Sequence, residues 1–256
     1  MTNEATIEKM RKMKLTGMAN AFQNMMSGNF AAQFTADEMI GHLIDAEWDD
    51  RCNRKLSRLL RNARFRYQAS IEAIDYDKPR KLDKNMILRF SSCDWIRKGE
   101  NIIITGPTGV GKSFIASALG NQACINDFKV IYFNSMKLFS MLKSAKGDGT
   151  YTKEVNRIQR CDVLIIDDFG LEILDTVSRL MLLELIEDRI GNKSSVITSQ
   201  LPSTKWFDVI GDPTIADAIC DRILHTAYKI EMEGDTMRKY FGKRKTTEPI
   251  LDETGH

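Results

Sequence analysis

The chain has 256 residues, of which 43% are hydrophobic, and its 37 basic and 35 acidic side chains leave a formal net charge of +2. This length suits one large domain with a smaller appendage, and the small net charge excludes partner binding by overall charge, so any nucleic-acid surface must be a local patch. The five cysteines are scattered singly and no apolar run approaches the roughly 18 residues of a membrane span, which predicts a cytoplasmic protein without membrane segments.

Residues 1–70 predict a helical N-terminal domain, because they contain no proline and no strand-like run, and their apolar side chains recur at helical spacing. Within this domain, KMKLTGMANAF (12–22) is amphipathic with a glycine break. The break predicts two short helices. Their apolar faces pack on a partner, on a neighbouring subunit or on the core of the domain, and the sequence leaves these options open.

The segment RCNRKLSRLLRNARFR predicts a basic helix. Its cations are Arg51, Arg54, Lys55, Arg58, Arg61, Arg64 and Arg66. A run of this kind indicates binding to DNA phosphates, with Arg51, Arg54, Arg58 and Arg61 as the candidates. Acidic residues precede it by one helical turn, since Glu47 and Asp50 stand four residues before the first two arginines. A self-paired, solvated helix face is therefore the competing interpretation.

Residues 71–245 alternate short apolar runs with longer helical patterns and predict a parallel α/β sheet covered on both faces. The predicted strands are Ile102–Thr105, Val130–Phe133, Val163–Asp167, Val196–Ser199 and Tyr228–Glu231. The predicted helices are Lys112–Asn126, Met136–Lys143, Lys153–Gln159, Ser178–Ile190 and Pro213–His225. Residues 246–256 predict a disordered tail.

The segment GPTGVGKS fits the phosphate-binding pattern G-x-x-x-x-G-K-[ST] in full, between a predicted strand and a predicted helix. Glycines let the backbone N–H groups wrap phosphate oxygens, Lys112 adds a positive charge, and the hydroxyl of Ser113 suits a Mg²⁺ ion. Nucleotide binding is thus predicted for Gly106, Pro107, Thr108, Gly109, Val110, Gly111, Lys112, Ser113 and Phe114.

Two adjacent carboxylates end the predicted strand in DVLIIDDFG. A phosphate-binding loop needs a second strand that delivers an aspartate to the metal, and Asp167 fits that role. Asp168 is then the candidate that polarises the attacking water, although it is one methylene shorter than the glutamate usual in P-loop ATPases with an additional strand. The shorter reach predicts either a repositioned water or slow hydrolysis, as in a switch.

With these motifs assembled, the chain resembles the AAA+ ATPases of the initiator and helicase-loader clade, and within it the IstB family of transposition helpers. The resemblance is nearly end to end. It is carried by KMKLTGMANAF, WIRKGENIIITGPTGVGKSFIASALGNQA (95–123), CDVLIIDDFGLEIL (161–174) and the block from TSQLP to DPTIADAICDRILH (198–225). The family commonly has Asp-Asp in place of Asp-Glu. Phe169, where the family usually has tryptophan, and GDTMR (234–238), where it has GESYR, depart from its pattern.

The resemblance implies an AAA+ core with strand order 5-1-4-3-2, together with ATP and Mg²⁺ as cofactors. It places a γ-phosphate sensor at Gln200, with Thr198 and Ser199 as rivals. Arg222 has no carboxylate three or four residues away, which favours an external anion over a salt bridge within the chain. In the family it corresponds to the arginine inserted into the ATP of the next subunit, for which Arg189 and Arg238 are lesser candidates.

The implied partners are double-stranded DNA bound through its backbone, the transposase of the same element, and further copies of this chain in an ATP-dependent ring or helix. Arg238 is also a candidate nucleotide ligand, and Lys143 and Lys146 are candidate DNA contacts at a central channel, or lysines that satisfy a helix dipole. The resemblance implies an ATPase in the bacterial cytoplasm. The alternative function is a replicative helicase loader of DnaC type, followed by a P-loop kinase and a DNA scaffold that does not hydrolyse ATP.

Overall fold

The computed structural model of the chain describes residues 2–28, 34–225 and 227–237. The chain divides into two compact units, Met1–Arg61 and Asn62–His256. The second unit begins ahead of the boundary near residue 70 that the composition predicts, and the tail predicted at 246–256 lies outside the described residues. None of the described helices combines the length and the apolar character needed to cross a bilayer.

The first unit is helical and consists of α1 (Asn3–Lys12), α2 (Thr16–Ser27) and α3 (Ala36–Ala63) up to Arg61. The prediction that KMKLTGMANAF forms two short helices broken at its glycine is wrong, because the segment holds only the end of α1 and the first half of α2, and the chain turns at Lys14, which has a left-handed φ of 60°. Gly17 lies inside α2, where a Cβ would overlap the carbonyl oxygen of Ala46 in α3. The glycine therefore permits close packing of α2 on α3.

Glu47 ties α2 to α3. Its Oε2 accepts a hydrogen bond from the backbone N–H of Met18 at 3.2 Å, and its Oε1 pairs with Nε of Arg51 at 2.7 Å. Burial alone would raise the pKa of Glu47, but the hydrogen bonds from Arg51 and from the N–H of Met18 lower it below its ordinary value. Arg51 is thus part of the contact that holds two helices together.

The second unit is built on a five-stranded parallel sheet, formed by β1 (Asn101–Thr105), β2 (Val130–Asn134), β3 (Val163–Phe169), β4 (Ser194–Ser199) and β5 (Ala227–Glu231). The strand order is β2-β3-β4-β1-β5. This is the predicted order 5-1-4-3-2 counted from the opposite edge. The α/β fold and the five predicted strands are confirmed.

Helices connect the strands and cover the sheet, after a short α4 (Lys84–Phe90) and α5 (Asp94–Arg97) that precede β1. The connecting helices are α6 (Lys112–Ile125), α7 (Ser135–Gly147), α8 (Tyr151–Gln159), α9 (Thr176–Glu187), α10 (Trp206–Ile210) and α11 (Pro213–Leu224). Capping residues in the sequence explain where α9 and α11 begin. The side chains of Asp175 and Asp212 cap α9 and α11 by accepting N–H groups three residues on, and Pro213 opens the first turn of α11.

The apolar core lies around β3 and the helices α7 to α11. Val163 to Ile166 are fully buried because helices cover both faces of the sheet. Phe169 packs edge-on against the fully buried Trp206, with ring centroids 4.9 Å apart. This aromatic pair packs the chain directly after the two carboxylates of β3 into the core.

Candidate nucleotide-binding site

The loop between β1 and α6 has the conformation of a phosphate cradle. Gly109 and Gly111 have φ values of 84° and 104°, which side chains rarely adopt. A Cβ at Gly106 would overlap the carbonyl oxygen of Met232, and one at Gly109 would overlap the side chain of Thr236. The segment after β5 therefore lies directly against the loop, and the N–H of Met237 donates to the carbonyl of Gly109 at 2.8 Å.

Lys112 begins α6 and is 5% exposed. Its ammonium group donates to the carbonyls of Gly106 and Pro107 at 2.8 Å each. Burial lowers the pKa of Lys112, while Asp168 and Asp167 act in the opposite direction. The side chain is therefore held at the mouth of the loop, where it can exchange two neutral carbonyls for phosphate oxygens.

Asp167 is fully buried, and both of its carboxylate oxygens accept hydrogen bonds. Its Oδ1 accepts the hydroxyl of Thr198 at 2.5 Å, and its Oδ2 accepts Nη1 of Arg66 at 3.2 Å and the hydroxyl of Tyr132. Burial raises the pKa of Tyr132, and its hydrogen bond to Asp167 raises it further. Tyr132 therefore stays protonated and acts as a donor that fixes the carboxylate.

A bulge directs Asp168 toward the same edge as Asp167. The β3–β4 register shifts between Ile166 and Phe169, and Asp168 has a left-handed φ of 59°. On a regular strand, adjacent side chains would point to opposite faces. The N–H of Asp168 donates to the hydroxyl of Thr198 at 3.0 Å, and its Oδ2 accepts Nη1 of Arg66 at 3.0 Å and Nδ2 of Asn134 at 3.3 Å.

A pocket of 430 Å³ opens at this edge of the sheet. Of the predicted site residues, it is lined by Thr108, Gly109, Gly111, Lys112, Ser113, Phe114, Asp168 and Gln200. Apolar side chains, among them Tyr67, Ala73 and Met237, line it as well. A pocket with phosphate-binding groups and an apolar lining, at the carboxyl ends of parallel strands, suits a nucleotide.

The three candidate sensors at the end of β4 differ in their surroundings. Thr198 and Ser199 are fully buried, and the hydroxyl of Ser199 donates to the carbonyl of Phe169 at 2.7 Å. Gln200 is exposed and lines the pocket. Thr198 instead braces both aspartates, so only Gln200 presents its polar group to a ligand in the pocket.

The three candidates for the arginine that reaches the ATP of the next subunit also differ in their surroundings. Arg222 pairs with Glu187 at 2.9 Å, so the expectation that it lacks a carboxylate within its own chain is wrong, because the partner is 35 residues away in the sequence. Arg189 is 2% exposed and donates to backbone carbonyls, which excludes it from reaching a second subunit. Arg238 lies outside the described residues.

Two arginines that the sequence did not single out for this site line the pocket. Arg66 contacts both aspartates. Arg80 is 4% exposed, and its Nη1 donates to the carbonyl of Val110 at 3.1 Å while its Nη2 donates to that of Asp75. Burial lowers the pKa of Arg80, and Asp75 opposes that effect. Arg80 therefore braces the phosphate-binding loop from the segment before β1.

The basic segment of α3 splits into paired and unpaired cations. Arg51 pairs with Glu47, and Arg54 pairs with Asp50 at 2.8 Å. Arg58 and Arg61 make no ion pair within the described residues. They line an open groove together with Lys14 from the α1–α2 turn, and Arg51, Arg54 and Lys55 line the same groove. The prediction that Arg64 and Arg66 lie on the same helix is wrong, because α3 ends at Ala63 and Arg64 has a left-handed φ of 58°.

The two lysines predicted at a central channel lie on α7. Lys143 pairs with Asp175 at 2.9 Å, whereas Lys146 is exposed in the last turn of the helix. Both side chains reach solvent, and their contact with DNA stays a prediction.

Comparisons with known proteins agree on one family. Residues 8–246 match the family model described as IstB-like ATP binding protein. The chain is 43% identical to the insertion sequence ATP-binding protein y4pL of Sinorhizobium fredii, over 93% of this chain and 98% of that protein. It is 38% identical to the ATP-binding protein of insertion sequence IS1162 from Pseudomonas fluorescens, over 80% of this chain and 89% of that protein.

Solved structures match the fold of about seven-tenths of the chain. The crystal structure of DnaI has a TM-score of 0.56 at 21% identity, covering 70% of this chain and 92% of that one. The AMPPCP-bound DnaA of Aquifex aeolicus also has a TM-score of 0.56, at 19% identity, covering 71% of this chain and 56% of that one. At these identities the similarity shows a common AAA+ fold.

Proposed function

Because the chain belongs to the IstB-like ATP-binding protein family, we propose that it is an ATPase that assembles on double-stranded DNA in its ATP state and assists the transposase of an insertion sequence. The observation that carries this proposal is the meeting of the phosphate-binding loop and Asp168 at one 430 Å³ pocket, with the buried Asp167 directly before Asp168 in the chain. The names of the relatives, which are insertion sequence ATP-binding proteins, support the role in transposition.

Nucleotide binding requires few changes to the site. Backbone N–H groups of the loop and of the start of α6 face the phosphates, and Lys112 moves from two carbonyls to phosphate oxygens. The hydroxyl of Ser113 and the carboxylate of Asp167 are hard oxygen donors of the kind that Mg²⁺ prefers beside a nucleotide, so the residues present fit this ion. When bound, Mg²⁺ neutralises charge on the phosphates.

Hydrolysis assigns different roles to the two aspartates. Asp167 is fixed by three donors and suits a ligand position. The side chain of Asp168 is 19% exposed and lines the pocket, and its Oδ1 makes no hydrogen bond to a described residue, so this oxygen is available to an attacking water. Its Oδ2 is engaged by Arg66 and Asn134. This restraint on a short carboxylate supports slow hydrolysis, with Gln200 sensing the γ-phosphate from the rim.

Arg222 is proposed to act on the nucleotide of a neighbouring copy. Its side chain is 29% exposed, and it is absent from the residues that line the pocket of its own chain. Its pair with Glu187 is exposed and therefore weak, so exchange for a neighbour's phosphate costs little. An arginine supplied in trans requires a heterologous contact, which builds rings or helices.

DNA is proposed to lie along the groove that Lys14 and the cations of α3 share, with Lys14, Arg58 and Arg61 as its main contacts, because these three make no ion pair within the described residues. Such contacts recognise the phosphate backbone and give binding that tolerates sequence and weakens with salt. Arg51 and Arg54, whose charges are compensated by Glu47 and Asp50, are expected to contribute less.

Electron microscopy of the protein with duplex DNA in ATP and in ADP tests this function. Ordered rings or helices that form only with ATP are expected, and Asp168→Asn should preserve them for longer because hydrolysis is blocked. Isolated monomers with both nucleotides would contradict assembly, and failure of Asp168→Asn to assemble would contradict the switch. Stable capture of a hexameric helicase would favour the helicase-loader function.

A further inference from the structure

Arg66 bridges the two aspartates through one nitrogen. Its Nη1 lies 3.2 Å from Oδ2 of Asp167 and 3.0 Å from Oδ2 of Asp168. Its side chain is 42% exposed, whereas Asp167 is fully buried. Arg66 follows the end of α3 and belongs to the same compact unit as the aspartates. The contact therefore joins an exposed cation to a carboxylate that has no access to solvent.

The charges at this edge show why the contact matters. The two carboxylates are adjacent in the chain, although only Asp168 lines the pocket. Within the described residues Arg66 is the only cation within ion-pair distance of either. The other donors to Asp167, which are Tyr132 and Thr198, are neutral. Like charges this close repel strongly in a partly buried site. Arg66 thus supplies the positive charge that compensates this pair of carboxylates.

A divalent cation bound at this site would compete with Arg66 for Oδ2 of Asp167. Oδ1 is held by Thr198, and Oδ2 is shared between Tyr132 and Arg66. A magnesium ion or its water shell needs a carboxylate lone pair. The ion brings two positive charges to a position beside the aspartates where a single guanidinium charge now lies. Because Oδ2 of Asp167 already accepts hydrogen bonds from Tyr132 and Arg66, the ion can approach this oxygen only if the guanidinium withdraws.

We propose that Arg66 is a built-in counter-ion of the aspartate pair that exchanges with Mg²⁺ when the nucleotide binds, and so sets how strongly nucleotide binding depends on Mg²⁺. The proposal rests on the proposed binding of nucleotide and Mg²⁺ at this pocket. Without Arg66, the two uncompensated carboxylates repel a metal-free nucleotide and attract the metal more strongly. Removal of Arg66 therefore increases the Mg²⁺ dependence of binding.

Titration calorimetry with AMPPNP tests this exchange, because the analogue separates binding from hydrolysis. The measured quantity is the ratio of the Kd in EDTA to the Kd in MgCl₂, for the wild type, Arg66→Ala, Arg66→Lys and Arg64→Ala. Arg66→Ala should raise the ratio about tenfold, as expected for loss of a part-exposed charged hydrogen bond. Arg66→Lys should give an intermediate ratio because its ammonium lacks the planar fork of arginine.

Arg64→Ala is the matched control, since Arg64 is exposed two residues away, and it should keep the wild-type ratio. Equal weakening of the Kd in EDTA and in MgCl₂ by Arg66→Ala would make Arg66 a phosphate ligand and overturn the proposal, as would a wild-type ratio. If Arg66→Ala fails to fold in a thermal scan, Arg66→Lys decides by the same ratio. A wild-type protein that binds no nucleotide would refute the proposed function as well, whereas tight wild-type binding with an unchanged ratio refutes only the role of Arg66.

Discussion

The two ends of the parallel sheet both bury a cation, but only one end leaves space beside it. At the amino end, Arg189 is 2% exposed and donates to the carbonyls of Ile158, Cys161, Asp162 and Ser194 at 2.6 to 3.3 Å. The cavity next to it measures 20 Å³. At the carboxyl end, Lys112 is 5% exposed and contacts two carbonyls, beside a pocket of 430 Å³.

The difference lies in how completely each cation is satisfied. The guanidinium of Arg189 donates its hydrogen bonds to backbone carbonyls, so a ligand bound there would only replace hydrogen bonds that already exist. The ammonium of Lys112 has a third donor and a pocket beside it, so it can trade neutral carbonyls for anionic oxygens at a gain in charge-assisted bonding. Burial of a charge therefore marks a ligand site only when its partners are incomplete or exchangeable.

Arg189→Ala should have the largest effect, on stability. Loss of the guanidinium leaves several buried carbonyls without donors, which should lower the free energy of unfolding by about 4 kcal/mol in urea titrations. Arg160→Ala, which removes an exposed arginine at the end of α8, should change it by less than about 0.5 kcal/mol. A weakened nucleotide Kd at unchanged stability would refute the structural role of Arg189.

Lys112→Ala should have the next largest effect, on binding. The nucleotide Kd should rise about 100-fold, which is about 2.7 kcal/mol, because a charged donor to the phosphates is removed. Lys193→Ala is the control at the amino end, where Lys193 pairs with Asp162 at 2.6 Å, and it should leave the Kd within about twofold. Equal nucleotide Kd values for Lys112→Ala and Lys193→Ala would contradict the difference between the two ends of the sheet.

The double variant Arg58→Ala with Arg61→Ala should have the smallest effect, which is on the salt dependence of DNA binding. This prediction extends the comparison from the sheet to α3. The slope of the logarithm of DNA affinity against the logarithm of salt concentration should become shallower by about two, roughly one unit for each arginine removed from a DNA phosphate. The double variant Arg51→Ala with Arg54→Ala should change the slope less, because Glu47 and Asp50 already compensate these charges. The reverse ranking, measured by fluorescence anisotropy with duplex DNA, would place the DNA contacts on the paired half of the helix.

Most of the fold and half of the pocket follow from local sequence. Strands, helices and the phosphate-binding loop depend on hydrophobic periodicity and on glycine spacing, both of which are visible within a few residues. Arg66 could not be predicted at the pocket, since its contacts with Asp167 and Asp168 join residues 101 and 102 positions apart. Its place in a run of basic residues pointed instead to DNA.

Arg80 and Thr198 were missed or misjudged for a related reason. Arg80 meets the carbonyl of Val110 across 30 positions, and its own neighbourhood shows no motif. Thr198 appeared as a rival sensor because it is polar at a strand end, but the bulge in β3 brings both aspartates onto its hydroxyl. The pairing of Arg222 with Glu187 was likewise invisible at helical spacing.

The left-handed backbone of Asp168 also limits which amino acids this position can accept during evolution. Aspartate and asparagine enter that region more readily than most side chains, because their short polar groups suit it. A single codon change from aspartate to glutamate would lengthen the carboxylate without relaxing a φ of 59°. A lineage with the longer acid would therefore either hold glutamate in this conformation at a cost of about 1 kcal/mol or change the backbone of the strand end as well.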